Sequence, residues 1–576
     1  MSESPQNEVK STVVYEVDDR PPPDKCLISA LQTLFLVAPA IIVTPLVLAR
    51  SVDMAIGMTQ WIIFAALIAS ALSTLIQIRR IGPVGSGYLI FMGTSTAYLA
   101  VGIEAVMLGG MALVATMAII SAPVQLLFAR YLGAFRRVIT PTVSGVVIML
   151  VVLGVLPTAG DMLQGDGEHD GTSASMAVAL LTLLFTLAVA VMGNRSLRLW
   201  SPVLGLGFGM LVAIAFGITD FTRVSEAAWF GLPPLEWPGF NLEVSPAWIS
   251  VWLTFAIVTL VGAVESVGDT MVAQRASYRK PRKIDYDSVR GGLYADGVGN
   301  MLSGALGTLP NTTYGIGVSS VELTGMAARR VGYYFAGVMV LLALMPKLSM
   351  LMISLPSPVF GAFLLVLLAL LFVAGIRLCA TNGFDYQNSL IIGVAFTVGF
   401  IFQNDMFFPD LIPKAMNSFF GNGIATGGTM AVLMSLFFNL RPRPLKRRQF
   451  PAKAEQLDAL HQFARDFART TALSEQQLFK LEVVLEEVFI HLVAQAEPGQ
   501  QIQLRLERDD GRIHIEMVDR STARDIDTLE AIDQPWEQAD QQTLQFLGLY
   551  LLNKMALDVR HMHMAGVNYI SFSIPE

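Results

Sequence analysis

The chain has 576 residues, 53% of them hydrophobic and only 15% charged, with a net charge of −7 and a mean hydropathy of +0.55. Soluble domains are about 25% charged, so a wholly soluble enzyme, a disordered chain and a nucleic-acid binder built on a basic face are excluded. Its two cysteines, Cys26 and Cys379, are too far apart in sequence to suggest a disulfide framework or a metal site.

Residues 1–26 are polar and end in Arg20-Pro21-Pro22-Pro23-Asp24-Lys25. They lack the features of a cleaved signal peptide and read as a cytoplasmic tail. Residues 27–440 form a membrane domain of about fourteen segments. Seven lie at roughly 27–49, 58–77, 83–100, 105–128, 138–157, 175–193 and 200–217. Seven more lie at roughly 247–271, 288–306, 309–324, 330–353, 356–376, 387–403 and 424–440. Basic residues such as Arg79-Arg80, Arg195/Arg198, the run from Arg275 to Arg290 and Arg329-Arg330 fall in alternate loops, on the side of both termini. The positive-inside bias puts both termini in the cytoplasm. Ile218–Ser245 and Asp405–Gly423 read as outer, interfacial stretches. Residues 441–453, opening Arg441-Pro442-Arg443-Pro444, read as a basic linker that ends the membrane domain as a positive-inside stop, with binding of anionic lipid as the alternative. Residues 454–576 form a cytosolic domain.

Two segments are poor spans at matching places in the two halves: Gly82-Pro83-Val84-Gly85-Ser86-Gly87 running on to Thr96, and Gly307-Thr308-Leu309-Pro310-Asn311 running on to Gly315. Such interrupted segments mark a transporter site near the bilayer midplane, where helix N-termini offer free N–H groups to a ligand. The bland alternative is a pair of kinked packing helices. Glu265 and Asp269 stand in VGAVESVGDT, inside the eighth segment. Their i,i+4 spacing puts both carboxylates on one helix face. An ionised acid at mid-bilayer costs about 2.5–3.5 kcal/mol on insertion scales, so such residues face the bundle interior and act on ions, protons or substrate. Two carboxylates this close in low dielectric favour proton binding. For Asp269 the alternative is a hydrated position near the cytoplasmic end. Asp296 and Asn300, one turn apart in the ninth segment, are a weaker pair whose role is gating, packing or substrate contact.

GPVGSGYLIFMGTSTAYL (82–99), VESVGD (264–269) and LPNTTYGIGVSSVELTG (309–325) resemble the nucleobase–ascorbate transporter family, in the right order and spacing across residues 27–440. The resemblance implies a polytopic α-helical fold of 14 segments in a 7+7 inverted repeat with core and gate domains, an elevator mechanism, a homodimer in the inner membrane, and proton-coupled import of uracil, xanthine, uric acid or other purines. By resemblance, Glu265 hydrogen-bonds paired ring N–H groups, Asp269 stands one turn later, and Asp296 is the acid of the ninth segment. Thr96 and Gly315 with its neighbours Ile316 and Gly317 line the substrate, and Glu265, Asp269 and Asp296 serve proton coupling. Where the family has Glu-Asn or Gln-Asn after the Tyr-Gly stretch, this chain has Ile316-Gly317; Thr96 replaces a common aromatic, and Thr33 a common histidine.

In the tail, helices are expected at 454–472 and 474–494, strands at 501–508 and 512–518 across a hairpin turn, a loop at 519–543, a helix at 543–556 and final strands at 558–563 and 567–574. KLEVVLEEVFIHLVAQA, IQLRLERDDGRIHIEMVDRS and FLGLYLLNKM resemble the anti-sigma-factor kinase branch of the GHKL ATPases. The nucleotide boxes are degenerate: Glu487 is followed by His491 in place of Asn, Asp519 lacks the following glycines, and only Gly548-Leu549 survives of the last box. Imidazole is a poor Mg²⁺ ligand, and bulky residues keep backbone away from phosphates. The tail is therefore expected to be no enzyme, to use neither ATP nor Mg²⁺, and to regulate or dimerise, with an antagonist-type protein as a partner. No metal, cofactor or nucleic acid is expected; the proton is the expected coupling ion, with Na⁺ as the alternative. The rival readings are a ligand receptor on a transporter scaffold, a carrier of a non-nucleobase substrate, and a tail that works as an ATPase or protein kinase.

Overall fold

The computed structural model describes residues 13–132, 140–165, 171–219, 221–279, 285–381, 386–404, 406–407, 417–440, 445–471, 473–496, 499–509, 512–519, 557–564 and 567–575. The chain forms two compact units, residues 1–279 with 288–439, and residues 280–287 with 440–576.

The membrane unit opens with α1 (Pro23–Ser51), whose proline sits in the first turn where no N–H is needed. Ahead of it the chain is tied down, because Val14 and Tyr15 donate to Gly325 O and Arg329 N donates to Val17 O. α2 (Ile56–Arg79) leads into β1 (Met92–Thr94), a 3₁₀ turn at Thr96–Tyr98 and α3 (Leu99–Arg130). At Gly85 (φ +103°) an added Cβ would lie 2.6 Å from Ile76 O, so this turn requires glycine. α3 is broken at Gly109-Gly110, where φ swings from −157° to +68°. Then come α4 (Pro141–Gln164), α5 (Ser173–Met192), α6 (Arg195–Ala215) and the short α7 (Thr222–Glu226). The stretch up to Ser245 is irregular and exposes Trp229, Phe230, Leu232 and Leu235. Its backbone and side chains tie to helix ends through Gly231 N to Leu344 O and Trp237 Nε1 to Ala305 O.

α8 (Pro246–Ala276) is followed by α9 (Tyr286–Leu306), β2 (Asn311–Thr313), α10 (Gly315–Thr324), α11 (Arg330–Ala343) and α12 (Pro346–Ile353). α13 (Ser357–Thr381), α14 (Tyr386–Gln403), α15 (Asn417–Phe420) and α16 (Gly423–Leu440) complete the unit. Among the described residues eight helices are long and apolar enough to cross a membrane, or nine if α11 and α12, bent by 73°, count as one span. The fold is thus a helical polytopic membrane fold with a small C-terminal sheet domain. In the outer stretch expected at Asp405–Gly423, residue 405 and residues 408–416 lie outside the described residues.

β1 and β2 come from distant parts of the chain and pair antiparallel, Met92 with Thr313, Gly93 with Thr312 and Thr94 with Asn311. All six residues are buried.

In the tail unit, α17 (Leu457–Thr471) and α18 (Glu475–Gln495) pack against a five-stranded antiparallel sheet of β3 (Leu445–Pro451), β4 (Gln501–Asp509), β5 (Arg512–Asp519), β6 (Leu557–Met564) and β7 (Val567–Pro575), in the order β3-β4-β5-β7-β6. Ser474 and Gln477 form a capping box at the start of α18. The sheet corrects the linker read at residues 441–453, because residues 445–451 are an edge strand paired with β4 along its whole length. Lys446, Arg447 and Arg448 disguise the strand as a charged tether, and charge is how edge strands resist unwanted pairing. Residues 441–444, the loop at 519–543 beyond Asp519 and the helix at 543–556 lie outside the described residues.

Phe450, 1% exposed, anchors β3 against Phe463 and Phe489. Phe450→Ala should destabilise the tail by about 3–5 kcal/mol, the usual cost of emptying an aromatic core site. Protease protection of the tail in the full-length protein during thermal unfolding checks this, since a residue in a free linker would change nothing.

Candidate functional site: a carboxylate and hydroxyl cluster at the paired strands

Strands buried among apolar helices must find partners for every backbone polar group. Helix side chains supply several of them here. Met92 N donates to Thr74 Oγ1 at 3.0 Å, and Asn311 N to Asn300 Oδ1 at 2.8 Å. Ser95 N donates to Pro310 O, and Tyr314 N to Phe91 O. The Tyr314 hydroxyl donates to Thr94 O at 2.7 Å. Gly93 is needed in β1, where a Cβ would stand 2.7 Å from both Ile41 and the Tyr314 ring.

Each strand runs straight into a helical turn, so Thr96 and Gly315 sit at helix starts whose first N–H groups have no partner within the helix. α8 packs against both β2 and α10. Glu265 and Asp269 lie one turn apart on α8 and are half-buried. Asp269 Oδ2 accepts from Thr313 Oγ1 at 2.7 Å. A Cβ on Gly315 would lie 3.1 Å from Asp269 Oδ1, so the start of α10 abuts that carboxylate. Among the described residues Glu265 makes no hydrogen bond and is left with its acceptors unused.

Asp296, 1% exposed, lies behind this pair on α9. Its Oδ2 accepts from Ser266 Oγ at 2.7 Å and from Gln125 Nε2 at 2.6 Å, while Oδ1 is buried without a partner among the described residues. Gln125 Oε1 accepts from Asn300 Nδ2 at 2.8 Å. Asn300, whose role was left open in the sequence, therefore joins the Asp296 network to the backbone of β2.

The structure brings Glu265, Asp269, Asp296 and Gly315 to one region of the unit, with Thr96 half-buried in the turn after β1. Ile316 is the second residue of α10, and the position of Gly317 is filled by Phe91, whose Cδ2 would stand 2.6 Å from an added Cβ. Reading for charge in the sequence misses Ser266, Thr313, Gln125 and Tyr314, although a glutamine within an apolar segment is a usable signal. It also misses Glu104 in α3, which accepts at 2.6 Å from Asn422, the residue preceding α16. A separate cavity of about 340 Å³ is lined by Arg50, Asp53, Asp161 and Ser357 and contains none of these groups. Arg50 is itself tied to Ile353 O and Ser357 Oγ.

In the tail, Glu487 and His491 lie one turn apart on α18, and Asp519 ends β5. Burial first, and then the neighbouring Glu486, hold the Glu487 carboxyl above the usual carboxylate range. Gly548 lies outside the described residues.

Interrupted helices, paired strands and intramembrane carboxylates together define a multi-pass membrane permease. A family model described as a permease family matches residues 24–405, and the chain belongs to that family, the nucleobase–ascorbate transporters. Residues 450–574 match the histidine kinase-like ATPase domain. A putative purine permease of Clostridium perfringens is 28% identical over 442 residues, covering 75% of this chain and 95% of its own. The xanthine permease XanQ of Escherichia coli is 27% identical over 457 residues, covering 75% and 94%. The murine anion transporter Slc26a9 in its inward-facing state is similar in fold, with a TM-score of 0.51 at 13% identity over 75% of this chain and 71% of that one.

Asn300→Ala should leave Asn311 N buried without an acceptor, at a cost of about 1–3 kcal/mol. Asn300→Asp keeps an acceptor oxygen but gives up the donor to Gln125 Oε1 and adds an acid to the Asp296 network, so it should be destabilised as well. Thermal unfolding of the two detergent-solubilised variants beside wild type gives the comparison, and melting temperatures equal to that of wild type would contradict the assigned hydrogen bond.

Proposed function

We propose that the protein is a secondary active transporter in the inner membrane that takes up a nucleobase-like molecule, of the xanthine, uric acid, purine or uracil class, together with a proton. Glu265 accepts paired ring N–H groups of the base, Asp269 stands beside it, and the helix starts at Thr96 and at Gly315-Ile316 supply backbone N–H groups, with Gly317 lining the same turn. Glu265, Asp269 and Asp296 carry the proton. The observation behind this reading is that Glu265, a carboxylate inside a membrane segment, makes no hydrogen bond among the described residues, while Asp269 and Asp296 accept from Thr313 and Ser266. The similarity to a putative purine permease and a xanthine permease supports it.

The fourteen-segment 7+7 inverted repeat, with core and gate parts moving as an elevator in a homodimer with cytoplasmic termini, belongs to the same proposal. The antiparallel pairing of β1 with β2 supports it, since the two strands occupy corresponding places in the two halves. The tail regulates or dimerises the carrier, with an antagonist-type protein as its partner, and does not turn over ATP. That reading rests on His491 in place of the Mg²⁺-holding Asn and on the missing glycines after Asp519. Mg²⁺-dependent ATP hydrolysis by the purified full-length protein would overturn it.

A second reading, a ligand receptor with little transport, is favoured by one observation. Phe91 occupies the space beside Gly317 where the family carries the second polar side chain of its substrate-reading pair.

Glu265→Gln should abolish coupled uptake. Removing a charged hydrogen-bond acceptor costs about 1.5–3 kcal/mol, roughly ten- to a hundredfold in affinity. Thermal stability against uracil, xanthine, hypoxanthine, guanine and uric acid, followed by uptake into proteoliposomes, tests both readings. Stabilisation by a base without uptake selects the receptor, and uptake equal to wild type in Glu265→Gln sinks the site.

A further inference from the structure

Between Asp269 on α8 and Asp296 on α9 lie two buried hydroxyls. Thr313 Oγ1 donates to Asp269 Oδ2 and Ser266 Oγ donates to Asp296 Oδ2, both at 2.7 Å, and the two hydroxyl oxygens are 3.3 Å apart. Ser266 is fully buried and Thr313 is 1% exposed. A hydroxyl owns a single proton. When both point outward, none remains for the contact between them, and both carboxylates are served as anions. Adding one proton completes the row. With it on Asp269, the carboxyl donates to Thr313, Thr313 to Ser266 and Ser266 to Asp296, so every oxygen–oxygen contact carries one hydrogen. With the proton on Asp296 the mirror arrangement holds.

We propose that Thr313 and Ser266 form a proton relay between Asp269 on α8, which abuts the start of α10, and the enclosed Asp296. This rests on the proton-coupled reading above and adds the path by which the two acids share a proton. In one passage the Asp269 O–H bond breaks as a new O–H forms on Thr313. Thr313 passes its original proton to Ser266, and Ser266 passes its own to Asp296. Asp269 loses one proton and Asp296 gains one, while both hydroxyls stay neutral.

Asp296 is built to be the far end. Gln125 fixes its Oδ2, and Oδ1 has no partner among the described residues. The other titratable groups facing the row are Glu265 on α8, Tyr98 in the turn after β1 and Tyr314 after β2. Among the described residues no lysine or arginine contacts it, so a stored proton is the charge that offsets a buried carboxylate here. Through Gln125 and Asn300 the far end is also fixed to the backbone of β2, so relay and strand hold one register.

The test uses full-length protein in proteoliposomes, with xanthine as the probe and uracil as the second base. Two quantities are read: base counterflow without a gradient, and accumulation driven by an imposed pH gradient with dye-reported proton entry. Ser266→Ala should keep counterflow and lose gradient-driven accumulation and proton entry by about tenfold or more, a step of at least 1.4 kcal/mol in the coupled process. Thr313→Val should lose coupling, whereas Thr313→Ser, which keeps the hydroxyl, should retain it. Coupling intact in Ser266→Ala and Thr313→Val overturns the relay. So does a parallel loss of counterflow and coupling in both, which makes them packing residues, or a Thr313→Ser as impaired as Thr313→Val. A wild type that moves base without protons refutes the proton-coupled reading itself, and the relay with it.

Discussion

Two three-residue strands enclosed by apolar helices persist only if their backbone groups are paired, because no water is at hand to do it. β1 and β2 meet that requirement through each other and through side chains of the helices around them. Thr74 on α2 and Asn300 on α9 accept from the strand N–H groups, and the Tyr314 hydroxyl closes on Thr94 O. The register of the ribbon fixes where each strand ends and hence where the helical turns at Thr96 and Gly315 begin. It also fixes Thr313 against Asp269. The candidate site thus follows from a pairing between residues more than two hundred positions apart in the chain.

That dependence explains why glycine recurs at the ribbon. A side chain at Gly93 would strike Ile41 and Tyr314, and one at Gly317 would strike Phe91. Phe91 in turn stacks edge-on with Phe335, their centroids 4.6 Å apart, inside the main apolar core. The absence of a polar side chain at position 317 is therefore built into packing, and restoring one requires Phe91 to move. In the proposed site, the polar edge of a ligand is therefore left to Glu265 and to backbone N–H groups.

How far the fold is legible in the sequence depends on the element. Apolar runs give the long helices, and Gly/Pro interruptions mark both broken segments. The strand at Leu445–Pro451 is hidden, because one buried phenylalanine among Lys446, Arg447 and Arg448 has neither the alternation nor the apolarity of an inner strand. The break in α3 at Gly109-Gly110 is foreshadowed only by a glycine pair, which also occurs in unbroken helix at Gly291-Gly292. There the glycines serve close packing, since a Cβ at Gly291 would lie 2.3 Å from Gly85 O.

The site divides in the same way. Carboxylates inside membrane segments stand out because their burial is costly, so Glu265, Asp269 and Asp296 are found from sequence. The groups that make Asp269 and Asp296 compatible with the interior carry no charge and blend into the apolar run. Ser266 lies between the two α8 acids and turns away from them toward α9, and Thr313 closes on Asp269 only because β2 pairs with β1. Leaving a buried carboxylate oxygen without donors costs more than any one hydrogen bond returns. Hydroxyls and amides are therefore placed where helix and strand geometry brings them within reach, regardless of separation along the chain. Serine, threonine and glutamine in such a site are read by asking which acid each one serves and how many protons the group must share, a question that spacing within one helix does not pose.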